Sequence, residues 1–254
     1  GTDNARCLIS LALLCGHIGK EGSGIHPLRG QNNVQGASDS GLIPMVYPNY
    51  QPVTDDEIRE KFEKLWGQEL NPNIGLTVIE IAEKAFEKEL KGLYIMGENP
   101  AMSDPNLNFT REALSRLDFM VVQDIFFTET AGFADVILPA SAFAEKDGTF
   151  TNTDRRVQLG RKAVDPPGEA RQDLWIIQEL ANRLGLDWQY KTVKDVFNEL
   201  KETNETIGGI SWEMLQEQDS ITYPFTRKNK KSEPILFAEL FPTKSGKATL
   251  YFLR

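Results

Sequence analysis

One cation and four side-chain amides fall within eight residues: Arg29-Gly30-Gln31-Asn32-Asn33-Val34-Gln35-Gly36. A guanidinium keeps its charge at any working pH and presents a planar fork matched to a carboxylate or phosphate. Gly30 and Gly36 permit close backbone approach, and the amides of Gln31, Asn32, Asn33 and Gln35 add directional donors and acceptors. The run therefore suits a small-anion site. Residue types alone also allow a second reading, in which Arg29 pairs with an acid and the amides cap turns.

A second set of polar residues follows three short apolar runs. Leu93-Tyr94-Ile95-Met96, Phe119-Met120-Val121-Val122 and Val136-Ile137-Leu138 are nearly uninterrupted, as in strands buried on both faces of a parallel sheet. They end in Gly97-Glu98-Asn99-Pro100, in Gln123-Asp124 and in Pro139-Ala140-Ser141. Ligands of open parallel sheets bind beyond the carboxyl ends of the strands. These stops form a candidate rim, or else plain strand-to-helix loops. The helical pattern over 106–117 and a shorter crossover over 128–134 separate the runs. The order is β-α-β-α-β, an α/β class with an open, mostly parallel sheet and flanking helices.

The remaining elements must hold these residues in place. Residues 3–16 have helical spacing, and their second half is apolar nearly all round, which predicts burial. Cys7 and Cys15 lie in that stretch at a spacing that fits no zinc or iron–sulfur motif, and they are expected to be buried thiols. From 22 to 53 the chain is rich in Gly, Pro, Asn and Ser, with no periodicity, and reads as a long functional loop. Thr54-Asp55-Asp56-Glu57 and Thr77-Val78-Ile79-Glu80 are capping boxes opening helices to about Trp66 and Leu90. Residues 147–164 alternate as short antiparallel strands. Asp173 reads as the N-cap of a helix closed by Gly185. Residues 192–200 form a further helix, and 248–252 a strand. The expected units are 1–53, a helix plus active-site loop; 54–143 with 172–190, the α/β domain; and 144–171 with 191–254, a smaller β-containing subdomain.

Composition bounds the function. A net charge of −9 over 254 residues argues against a nucleic-acid partner, and Arg227-Lys228-Asn229-Lys230-Lys231 reads as a solvated loop. Leu8–Leu14 is too short to span a bilayer, so no direct membrane insertion is expected. Two cysteines in 254 residues suggest a reducing, cytoplasmic compartment. The opening Gly-Thr-Asp and the closing Tyr-Phe-Leu-Arg read as the ends of a piece of a longer protein.

The stretch from Leu8 to Gly36, with Gly16-His17-Ile18-Gly19-Lys20 and the Arg29 run, resembles formate dehydrogenases of the dimethyl-sulfoxide-reductase family of molybdopterin enzymes. So do residues 94–100, Val122-Gln123-Asp124-Ile125-Phe126 and residues 134–139. The resemblance implies a Mo or W atom held by two molybdopterin guanine dinucleotides, and an arginine, at Arg29, that orients formate. It places Gln31 near the pterin, and Gly97, Glu98, Asn99, Ser103, Gln123, Asp124 and Asp173 around one nucleotide. Carboxylates at Asp124 or Asp173 suit the N–H edge of guanine, although Asp173 could serve as a helix cap only. His17 and His26 do not follow a cysteine, as the family's catalytic histidine does, and are given no catalytic role. The resemblance further implies a 4Fe–4S centre, the metal ligand and electron-transfer subunits, all outside this span. A sister enzyme, such as a nitrate reductase or a relative of the large iron–sulfur subunit of respiratory complex I, shares this pattern. A non-catalytic nucleotide-binding module is the other alternative.

Overall fold

The structure is a computed structural model, and it describes residues 1–250. Its centre is a three-stranded parallel sheet of β3 (Gly92–Met96), β4 (Phe119–Asp124) and β5 (Val136–Pro139), in that order. Met96 pairs with Gln123 and Asp124 with Pro139, so the three carboxyl ends form one edge. The α/β expectation holds. The order runs in one direction without reversal, so the edge carries no topological switch point.

The expectation of strands buried on both faces does not hold. Burial alternates along the apolar runs: Ile95, Met120 and Val122 are buried, while Tyr94, Met96 and Phe119 are exposed. The buried face packs with Ala101 and Leu114, from α5 (Pro100–Ser103) and α6 (Leu107–Ser115), and with Ala131 of a 3₁₀ turn. Apolar content marks a strand; alternation of burial depends on which face helices reach.

Of the two capped helices, the one that Thr77 opens packs against α6 of this unit. α4 (Val78–Phe86) begins with the expected capping box: Thr77 accepts from the Glu80 amide, and the Glu80 carboxylate accepts from the Thr77 amide at 2.7 Å. It stops before Leu90, because Lys88 turns to φ 61°. α3 (Asp56–Trp66) is capped by Asp55 rather than Thr54; the Asp55 carboxylate accepts from the Ile58 amide at 3.2 Å. Its Phe62 is fully buried between Tyr47 and Trp66, with centroid distances of 4.5 and 4.8 Å.

The 22–53 segment is more ordered than its composition predicts. It contains α2 (Val34–Asp39) and a small hairpin of β1 (Val46–Tyr47) and β2 (Gln51–Pro52). These elements are held by long-range hydrogen bonds, which local periodicity does not register. A second sheet, antiparallel as expected, joins β6 (Gly148–Thr151), β7 (Arg156–Gly160) and β8 (Ser220–Thr222). It packs with α8 (Val193–Thr203) and α9 (Trp212–Gln218) around Val157, Phe197, Ile210 and Leu215. The β8 strand and α9 arise in a region with weak sequence patterning.

Three further expectations are corrected. α1 (Thr2–Leu14) forms as predicted but buries none of its residues, and Cys7 and Cys15 are exposed thiols. No described residue covers its apolar surface enough to bury it. α7 (Asp173–Arg183) starts one residue earlier than predicted, so Gln172 is the N-cap and Asp173 lies in the first turn. That frees the Asp173 carboxylate for side-chain partners. Residues 248–250 form no strand, and Tyr251 and Phe252 lie outside the described residues.

Candidate functional site

Two polar groups are built on this frame, and the first surrounds Arg29. Among the described residues Arg29 makes no ion pair. Its exposed guanidinium donates to the Gln35 side-chain oxygen at 3.2 Å. The Gln35 amide nitrogen donates to Asp39 Oδ1 at 2.8 Å and lies 3.1 and 3.2 Å from the hydroxyls of Tyr223 and Tyr50. Asp39 is buried, and it also accepts from Tyr50 at 3.0 Å and from Tyr223 at 2.7 Å. The buried Asn204 donates to the Asp39 backbone carbonyl at 3.2 Å. A buried carboxylate costs several kcal/mol unless hydrogen-bonded, and three side-chain donors meet that need here. Burial first, and the adjoining Asp39 carboxylate second, push both tyrosine hydroxyls above their ordinary value of 10.0. Both therefore remain donors across the working pH range.

α2 brings Gln35 and Asp39 onto one face at a spacing of four residues. Asn33 precedes that helix without capping it: its side-chain oxygen accepts instead from the Thr151 amide of β6 at 2.9 Å. A Cβ on Gly36 would fall 2.2 Å from that oxygen, so the tie to β6 requires glycine there. Gln31 and Asn32 are exposed and make no hydrogen bond with the described residues. The run is thus divided between an outward Arg29, Gln31 and Asn32 and an inward Asn33 and Gln35.

The second group is the sheet edge. Gly97 has φ 66° and its amide donates to the Gln123 carbonyl at 2.9 Å. Nothing lies within 4 Å of where a Cβ would project, so the backbone there is open to a ligand. Glu98 accepts from the Asn99 amide at 3.1 Å and from Ser103 at 2.9 Å. Asn99 faces inward: its oxygen accepts from the Thr130 hydroxyl at 2.7 Å, and its nitrogen donates to Glu129 at 2.7 Å. Asp124 accepts at one oxygen from the amides of Ile125 and Phe126, at 2.6 and 3.3 Å. Its other oxygen has no described partner.

Gln123 is fully buried, with both ends of its amide engaged. It accepts from the Tyr94 hydroxyl and donates to Asp173 at 2.6 Å. Asp173 also receives Lys146, which donates to the Ser141 carbonyl at 3.0 Å. Gln123 therefore supports the rim from beneath. Asp173 uses two of its roughly four acceptor positions, leaving capacity toward a ligand. Burial, and the Asp173 charge after it, raise the Tyr94 hydroxyl above its ordinary value.

The edge fits part of what a guanine nucleotide requires. Gly97 provides bare backbone for phosphate approach, and Asp124 and Asp173 retain acceptors for the guanine N–H edge. Phe126 and Phe127, 73% and 77% exposed beside Asp124, add flat apolar surface there. No group of His, Cys, Asp and Glu among the described residues is arranged to hold a metal ion.

Sequence reasoning missed Asp39, Tyr50, Tyr223 and Lys146. Asp39 carried a readable signal, an acid four residues beyond Gln35. Tyr223 carried none, because it reaches Gln35 across 188 positions. No described hydrogen bond or ion pair joins the Arg29 group to the sheet edge. Both touch the β6 region, through Thr151 and through Lys146, which lies two residues ahead of β6.

Comparison with known proteins supplies the family. The model of the family described as molybdopterin oxidoreductase matches residues 1–183. The chain is 50% identical over 253 residues to the F420-dependent formate dehydrogenase subunit alpha of Methanocaldococcus jannaschii, covering 99% of this chain and 37% of that protein. It is 44% identical over 251 residues to a probable oxidoreductase of Bacillus subtilis, covering 99% and 25%. The chain thus spans about a quarter to somewhat over a third of these relatives. Among solved structures, acetylene hydratase from Pelobacter acetylenicus superposes with a TM-score of 0.52 at 23% identity, over 75% of this chain and 26% of that one, a likeness of fold. With the family match over most of its length, the chain belongs to the molybdopterin oxidoreductase family.

Proposed function

We propose that this chain is the substrate-orienting and nucleotide-holding portion of a formate dehydrogenase catalytic subunit. The observation that carries the reading is the state of Arg29. Its guanidinium is exposed, unpaired with any described acid, and held from behind by a neutral amide. Such a cation is available to the planar carboxylate of formate. Binding there would fix the direction of the C–H bond, and the gain is orientation together with electrostatic stabilisation. The named activity of the Methanocaldococcus relative agrees with this choice of substrate.

Oxidation of formate to carbon dioxide releases two electrons and one proton. A molybdopterin guanine dinucleotide centre carrying Mo or W supplies the electron acceptor when bound. On this chain Gly97, Glu98, Ser103, Asp124 and Asp173 would line one nucleotide, with Gln31 near the pterin. Asn99 and Gln123 would act behind them, as supports. The 4Fe–4S centre and the contacts to electron-transfer subunits would belong to the longer protein. Gly1–Arg254 by itself should be inactive. The reading is tested by formate-dependent dye reduction with the full-length subunit and with this chain alone. Turnover by the first and none by the second is expected. A full-length subunit indifferent to formate, or a chain that turns it over unaided, would overturn it.

A further inference from the structure

We infer that Asp39, fixed by Tyr50 and Tyr223, is a positioning residue that sets the polarity of the Gln35 amide and so aims the Arg29 guanidinium. This rests on the reading of Arg29 as the formate-binding residue. Asp39 is acceptor-only and Arg29 donor-only. Gln35 lies between them, 2.8 Å from the first and 3.2 Å from the second. One amide orientation satisfies both: nitrogen toward Asp39, oxygen toward Arg29. The reverse orientation would set the amide N–H₂ against the guanidinium and its oxygen against the carboxylate. The negative charge on Asp39 thus decides which way Gln35 faces.

Asp39 is itself held rigidly. The Tyr223 hydroxyl, at 2.7 Å, takes Oδ2, and the Tyr50 hydroxyl, at 3.0 Å, shares Oδ1 with Gln35. Tyr223 and Asp39 are both buried. Tyr223 follows β8 directly, so the second sheet anchors the cation from behind. Asp39 makes no ion pair with the guanidinium: one amide connects them through two hydrogen bonds in series. Interposing the neutral amide leaves the Arg29 charge uncompensated, which direct pairing with Asp39 would not.

The test uses the full-length catalytic subunit with its cofactor, as wild type and as Asp39→Asn, Tyr223→Phe, Gln35→Leu and Arg29→Ala. Each of the first three should raise the KM for formate about tenfold, the effect of losing one charge-assisted hydrogen bond, with a smaller change in kcat. The Ki of acetate, a carboxylate lacking formate's reactive hydrogen, should rise in parallel. Adding Tyr223→Phe to Arg29→Ala should change KM no further. A readout independent of turnover is labelling of Arg29 by an arginine-selective dicarbonyl in cofactor-free full-length protein, followed by peptide mapping; it should quicken in the Asp39 and Tyr223 variants. Should Asp39→Asn fail to fold, Tyr223→Phe, which loses one oxygen atom, carries the test. If Arg29→Ala raises the KM but the other variants leave KM and labelling unchanged, the inference fails and the role of Arg29 stands. If Arg29→Ala keeps the wild-type KM, the role of Arg29 fails and takes the inference with it.

Discussion

Replacing Gln123 tests whether the sheet edge is held from beneath by one buried amide. Gln123 joins Tyr94 on β3 to Asp173 on α7, and Asp173 pairs with Lys146, which also donates to the Ser141 carbonyl. Gln123→Leu keeps the volume and removes both hydrogen bonds. Tyr94, 37% exposed, regains water, so its loss is small. The bond to Asp173 is charge-assisted and worth about 1.5–3 kcal/mol. Local opening of β4 and the first turns of α7 should therefore become about ten- to a hundredfold more frequent. Hydrogen exchange on the full-length protein, read in peptides over 119–124 and 173–183, measures this against 56–66 as a control. Gln123→Glu adds a sign. It sets a new buried carboxyl against Asp173, which raises its folded pKa above the unfolded value of about 4.3. Stability is then intact at pH below about 4.3 and is lost as pH rises, by about 1.4 kcal/mol for each pH unit up to the folded pKa. Exchange over 119–124 in either variant that matches wild type at neutral pH would refute the supporting role.

Three further outcomes follow from other parts of the molecule. Glu80→Gln should speed exchange in α4 at neutral pH; hydrogen bonds from Thr77 hold the Glu80 carboxyl below its ordinary 4.5, so the contribution is present above that pH and fades as pH falls through the lower folded value, where the difference from wild type should vanish. Gly36→Ala should push Asn33 off the Thr151 amide, leaving a donor unpaired at a cost of about 1–3 kcal/mol, visible as faster exchange in 148–151 while α4 is unchanged. Phe62→Ala empties the centre of the Tyr47–Phe62–Trp66 cluster and should cost about 3–5 kcal/mol, confined in exchange measurements to 46–66.

What the residues disclosed depended on how far their interactions reach. Thr77 and Glu80 lie three apart, so their capping box could be read directly and is present. The three apolar runs announced three strands, and their ends do share an edge. Which face of those strands is covered could not be read, because Tyr94 and Ile95 both belong to one unbroken run and the positions of α5 and α6 decide which of them is buried. α1 fails for the same reason: its residues declare an apolar surface but not what covers it. At the candidate site, Arg29 and its amides stood out by type and spacing. Their division into inward and outward groups did not, since it depends on Thr151 and Tyr223, more than a hundred positions away. Asp173 was legible as a helix-start acid, but its pairing with Lys146 and Gln123 depends on how α7 meets the sheet.

The central claim is that Arg29 recognises the carboxylate of formate through the geometry of its guanidinium. Arg29→Lys in the full-length subunit tests this most directly, because it preserves the charge and removes the planar fork. With one or two charge-assisted hydrogen bonds lost, kcat/KM for formate should fall about a hundredfold. A lysine variant with wild-type kcat/KM would show that charge alone suffices, or that the substrate binds elsewhere, and would contradict the account.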